Sequence, residues 1–111
     1  MDRVNKYRSI LQRLITQQAE YPPSHGKIET LPIADLRLDN YLLVGVGWDN
    51  TGRVHAPIFH ARLREGKVWI EWDGVEPSLT EALVEAGIPK QDIVLGFYRP
   101  EFRSMTEYAV A

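Results

Sequence analysis

The spacing of apolar residues changes once in this chain, near Gly26, and that change restricts the folds open to it. Upstream, Val4, Tyr7, Leu11, Leu14 and Gln18 recur every three or four residues, with Ile10 and Ile15 beside them. This spacing predicts one amphipathic helix over residues 3–20. Asp2 is a suitable N-cap, Pro22-Pro23 ends the helix, and Ser24-His25-Gly26 completes a loop. From Lys27 to Asp73 the apolar residues alternate instead, the signature of strands. A helix followed by a run of strands buries both by laying the helix on the sheet.

The alternation divides into four strands. Residues 27–38 read as the first, interrupted or bulged near Pro32, which suits a sheet edge. Asp39-Asn40 reads as a tight hairpin turn. In the second strand, residues 41–48, Leu42, Val44, Val46 and Trp48 share one face. Tyr41, Leu43, Gly45 and Gly47 share the other, where two glycines leave a trough for close approach. Asp49-Asn50-Thr51-Gly52 turns into a third strand, residues 53–64, and Glu65-Gly66 turns into a fourth, residues 67–72. There Val68, Ile70 and Trp72 are expected on one face and Trp69 and Glu71 on the other. Three short turns predict an antiparallel meander.

Asp73-Gly74 breaks the sheet. Ser78-Leu79-Thr80-Glu81 has the form of a capping box and opens a short helix to residue 86, with Leu79, Leu83 and Ala86 inward. Gly87 is its expected C-cap, and Pro89 prevents continuation. Asp92 opens a further turn, residues 93–97 are short and extended, and residues 100–111 are irregular. The expected architecture is α+β, one domain over residues 1–111. An N-terminal helix packs on a four- to five-stranded antiparallel sheet, with a short helix in the C-terminal half.

Composition narrows the function classes. The chain has 111 residues and no cysteine, which excludes disulfides and thiolate metal sites. The net charge of -2 and pI near 5.9 argue against a dedicated nucleic-acid coat. The apolar runs are too short to span a bilayer and no secretory h-region is present, so a cytoplasmic location without membrane contact is expected.

Little chemistry is visible. His25, His55 and His60 are scattered, and the last two, five apart on one strand, are expected on opposite faces. None of Ser9, Ser24, Ser78 and Ser104 lies in a nucleophile-elbow context. Gly45-Val46-Gly47 lacks the third glycine of a dinucleotide fingerprint. Glu71 and Asp73, with Lys67 on the same strand face, are the one arrangement a metal-dependent nuclease could use. The signal is weak, since alternating charge on an exposed strand face is common and is the favoured explanation. No catalytic residue, metal or cofactor is expected.

Binding surfaces are the remaining possibility. Trp48 and Trp72 are expected in the core with Val44, Val46 and Ile70, whereas Trp69 faces a partner. The last quarter holds Phe97, Tyr98, Phe102 and Tyr108, with Arg99 and Arg103 between the rings. Arginine beside aromatics is a common interface pattern, so Trp69, Arg99, Arg103 and Tyr108 are the candidate partner-binding residues. Ordinary surface pairing of the arginines with Glu101 and Glu107 is the plainer explanation. Arg3, Lys6 and Arg13 on the first helix are the alternative, a small DNA-binding face.

An ordered set of stretches resembles one family. It comprises Tyr7 with Leu14, Tyr21-Pro22-Pro23-Ser24-His25-Gly26, Val46-Gly47-Trp48 and Lys67-Val68-Trp69-Ile70-Glu71-Trp72-Asp73-Gly74. Ala86-Gly87-Ile88-Pro89-Lys90-Gln91-Asp92-Ile93-Val94-Leu95-Gly96-Phe97 and Thr106-Glu107-Tyr108-Ala109-Val110-Ala111 complete it. Together they resemble the XisI proteins, the fdxN element excision controlling factors of cyanobacteria. Pro77-Ser78 departs from the more acidic helix start expected there. The resemblance implies an accessory factor in excision of a DNA element during heterocyst development. It implies a companion of the XisH type, and no assigned catalytic residues. A recombination directionality factor using the basic first helix is the alternative, and a homo-oligomer is left open.

Overall fold

The computed structural model describes residues 2–21 and 27–111. Asp2 accepts a hydrogen bond from the Asn5 backbone N–H at 3.0 Å and opens helix α1, Arg3–Ala19. Its apolar stripe buries Tyr7, Ile10, Leu11 and Ile15. The Pro22-Pro23 and His25 expectations lie outside the described residues; α1 has already ended, with Glu20 as its C-cap.

The sheet has five strands in sequence order: β1 Lys27–Asp35, β2 Asn40–Asp49, β3 Gly52–Arg64, β4 Lys67–Asp73 and β5 Ile93–Leu95. The first four form the expected antiparallel meander. The fifth pairs parallel with β4, so the sheet is mostly rather than wholly antiparallel. The parallel step is made possible by helix α2, Leu79–Glu85, which carries the chain back across the sheet. Ser78 caps α2 by accepting from the Glu81 N–H at 3.4 Å. At its other end Gly87 has φ of 116°, Gly87 N–H donates to Val84 O, and Ile88 N–H donates to Leu83 O. This is a Schellman close, which favours glycine at the left-handed position.

The first hairpin differs from expectation. β1 stops at Asp35, whose carboxylate accepts from the Arg37 and Leu38 N–H groups. Such an Asx turn competes with the ladder, and residues 36–39 become the loop. β1 is the edge strand but carries no register shift at Pro32. The irregularities fall elsewhere. Leu43 pairs with Phe59 and Val44 with Pro57, leaving Ile58 as an extra residue in β3. His60 pairs with Trp72 and Ala61 with Ile70, leaving Glu71 extra in β4.

Those two bulges decide which side chains are buried, because one inserted residue inverts the alternation beyond it. The helix-side face of the sheet holds Tyr41, Leu43, Phe59, Ala61, Leu63, Val68 and Ile70, packed with α1, Leu79, Leu83 and Ile88 in one core. Gly45 and Gly47 lie on this face; the trough at Gly45 is filled by Ile58 and Ile28. A Cβ at Gly47 would stand 2.0 Å from the Lys27 carbonyl oxygen, so only glycine lets β1 approach there. Two polar knots tie α1 down. Arg8 grips the Asp39 carboxylate at 2.8 and 3.0 Å, and Tyr41 OH donates to the same group. Tyr7 OH donates to Asp92, and burial first, then that contact, pushes its pKa up to about 12.

Candidate functional site

Trp48 and Trp72, expected in the core, are 59% and 52% exposed. In β2 the buried residues are Tyr41 and Leu43 with the two glycines, so Leu42, Val44, Val46 and Trp48 point away from α1. The bulge at Glu71 throws Trp72 onto that same outer face, opposite Ile70. The bulge at Ile58 likewise puts His55 and His60, opposite Val46 and Leu42, on one face rather than two. His60 Nε2 lies 2.9 Å from Asn40 Oδ1, and burial lowers its pKa.

Trp69 shares the outer face but is only 9% exposed. The C-terminal tail covers it. The tail leaves β5 at Gly96, forms a 3-10 turn over Pro100–Met105, and returns so that Ala109 bridges Val94 and its N–H donates to Ile93 O at 2.9 Å. Trp69, Val94 and Ala109 form a second buried cluster. Arg103 closes it. Its guanidinium sits 5.3 Å from the Trp69 ring centre and donates to Tyr98 O at 3.1 Å and Gly96 O at 3.2 Å. Arg64 stacks on the same ring at 4.5 Å. The indole N–H of Trp69 is buried without a hydrogen-bond partner.

The four candidate partner residues therefore separate. Trp69 and Arg103 serve the tail's own anchoring. Tyr108 is half-buried, beside Lys90, which pairs Glu107 at 2.6 Å and lowers that carboxyl's pKa. Arg99 is exposed. The exposed residues nearest it in the chain are Tyr98 at 44% and Phe102 at 50%, both among the rings noted in the sequence, and Met105 at 81%, which sequence reasoning passed over. Phe97 packs on Tyr98 at 4.9 Å and meets Trp72 edge-on at 6.3 Å, joining the tail to the outer sheet face. Met105, an apolar residue at the end of a two-turn 3-10 helix opened by Pro100, is the sequence signal for this knob.

The nuclease arrangement does not form. Glu71 pairs with Arg62 at 2.8 Å. Asp73 points to α2, where its carboxylate accepts from the Thr80 N–H and hydroxyl at 2.9 and 2.6 Å and from the Ser78 hydroxyl at 3.0 Å. The described residues bring together no three of His, Cys, Asp and Glu that could hold a metal. On α1, Lys6 and Arg13 are exposed, while Arg3 reaches Asp92 at 3.9 Å. A cleft of about 520 Å³ between α1 and the start of α2 is lined by Leu14, Gln17, Gln18, Tyr21, Glu76 and Pro77, among others, with no reactive pair.

Comparison with known proteins adds the family. The XisI protein family matches residues 1–110. The fold is similar to a XisI-like protein from Anabaena variabilis ATCC 29413, at 32% identity and TM-score 0.86, over 96% of this chain and 97% of that one. It is also similar to the fdxN element excision controlling factor XisI from Anabaena variabilis ATCC 29413, at 34% identity and TM-score 0.79. That match covers 99% of this chain and all of the other. No curated protein matches.

Proposed function

The chain belongs to the XisI family, and from that membership we propose that it is a non-enzymatic factor controlling excision of a DNA element. In this reading it acts by binding a companion protein of the XisH type. The observation that carries the reading is the tail knob. Tyr98, Arg99, Phe102 and Met105 are all exposed in one short segment, whose Gly96 and Tyr98 carbonyls are held by Arg103. Exposed aromatics near an arginine are the composition of an interface hot spot. They cost little entropy to immobilise, because the turn is already held.

The alternative DNA reading on Arg3, Lys6 and Arg13 draws less support. Arg3 is directed to Asp92, and two cations release few counterions. The test is titration calorimetry with a purified XisH-type companion from the native host. Arg99→Ala combined with Phe102→Ala is expected to weaken binding about 30-fold with an unchanged melting temperature. Unchanged affinity would remove the knob from the interface. A gel shift of duplex DNA by the protein alone, collapsing steeply with salt, would favour the first helix instead.

A further inference from the structure

The outer face of β1 and β2 is largely apolar and partly exposed. β2 has no polar outward residue between Asn40 and Asp49: Leu42, Val44, Val46 and Trp48 occupy every position. An antiparallel strand with one solvated face normally alternates apolar with polar residues; a strand apolar on both sides belongs between two layers. The chain supplies one layer. The helices cover the inner face, and on the outer one the tail covers Trp69 and Val94 and meets the edge of Trp72 through Phe97. Leu31 and Ile33 of β1, 37% and 44% exposed, and Trp72 of β4 extend the uncovered patch on either side.

We propose that this face binds a second copy of the same chain, sheet against sheet, in a two-fold dimer. Three observations select that occupant. The first is size. The outer rows of β1 and β2, about 33 Å long and two strand spacings of about 5 Å wide, project on the order of 300 Å² before corrugation. With Trp72 beside them they can form the apolar centre of an interface of roughly 800 Å² per partner, and the polar row of β3 its rim. The second is charge. On the outer face Lys27 and Glu29 alternate along β1, Arg62 neutralises Glu71, and β3 adds His55, His60 and Arg53. Arg53 is occupied over the Trp48 ring at 5.3 Å. A nearly neutral face tolerates its own copy, whereas a strand of nucleic acid requires a positive groove. The third is the edge. Pro32 lies mid-way along β1 and has no N–H to offer a new strand, so association by edge pairing is blocked and face packing remains.

Sedimentation equilibrium of the full chain tests this. The expected mass is twice 12.7 kDa at high concentration, falling to the monomer on dilution. Ile33→Glu is expected to raise the dimer dissociation constant at least about tenfold. Trp48→Ala, which introduces no charge on the face, should raise it less and guards against misfolding of the first variant, as does circular dichroism of both. The chain has no cysteine, so Val44→Cys carrying a short bifunctional maleimide should cross-link to a dimer, because packed sheets lie about 10 Å apart. A monomer at every concentration overturns the proposal. So does a dimer indifferent to both variants. Quenching of tryptophan fluorescence by oligo-dT, lost in Trp48→Ala, with the protein monomeric, would also overturn it and assign the face to single-stranded nucleic acid. None of these readouts involves the companion, so they stand apart from the tail-knob test.

Discussion

Both faces of this sheet present large apolar side chains, with opposite fates. On the inner face Tyr41, Leu43 and Phe59 are fully buried beneath α1. On the outer face Leu31, Ile33, Trp48 and Trp72 keep a third or more of their surface in water. Apolar alternation identifies that a strand has faces; it does not say which face receives the lid. The lid is assigned by features the alternation does not carry: the glycine pair of β2 that leaves room for Ile58 and for the backbone of β1, and the bulges at Ile58 and Glu71 that re-aim the rows beside it. A side chain's energetic weight follows the lid rather than its size.

The largest effect expected is therefore at Phe59. Phe59→Ala opens a cavity in the core that Phe59 shares with Leu11, Leu43 and Leu83 and should cost about 4 kcal/mol in urea unfolding. Trp48→Ala, a larger deletion on the outer face, should change the stability of the dilute protein by no more than about 0.5 kcal/mol. Equal losses would mean that the outer face is sealed too, and the contrast would fail.

The next effect sharpens the inner face through its polar edge. Asp39 is held below the usual carboxylate range by the Arg8 hydrogen bonds first, with Tyr41 also contributing. A carboxyl with a depressed folded pKa contributes stability that is complete above its unfolded pKa, near 3.9, and is lost as pH falls through the folded value. Asp39→Ala should lower the melting temperature by roughly 5 °C at pH 7, with the gap to the parent narrowing below about pH 4. A gap constant down to pH 2 would assign the loss to packing or to the left-handed backbone of residue 39, φ 57°, instead of the ion pair.

These contrasts also mark what was legible in the residues. The caps were: Asp2, Ser78 and Gly87 act through local geometry, which spacing alone encodes. The meander was legible because its turns are short and polar. The end of β1 was not, since Leu36 and Leu38 carry the alternation into a loop that Asp35 closes from within. The tryptophan assignment failed for a single reason repeated twice. Ile58 and Glu71 each add one residue, and nothing in the composition of a β-branched residue or a glutamate marks an insertion. Parallel pairing of Ile93–Leu95 with β4 was hidden because three residues cannot display a period. Burial of Trp69 depends on a tail that returns from forty residues downstream.

The smallest effect tests where the two faces meet. Arg103 is the tail's clamp: it stacks on Trp69 and gives hydrogen bonds to the Tyr98 and Gly96 carbonyls. Removing it forfeits one cation–π contact and two partly exposed hydrogen bonds, about 1 kcal/mol in all. The loss should be local, because the inner core makes no use of this side chain. Hydrogen exchange is the suitable measurement. In Arg103→Ala the Ala109 amide, which bonds Ile93 O, should lose protection, while the amides of β2 and β3 keep theirs. Arg103→Lys should restore little, since an ammonium cannot lie flat on the indole and reach both carbonyls. If instead protection falls throughout β2 in Arg103→Ala, the tail is part of the sealed core, and the outer face is closed by the chain itself more fully than its exposed tryptophans indicate.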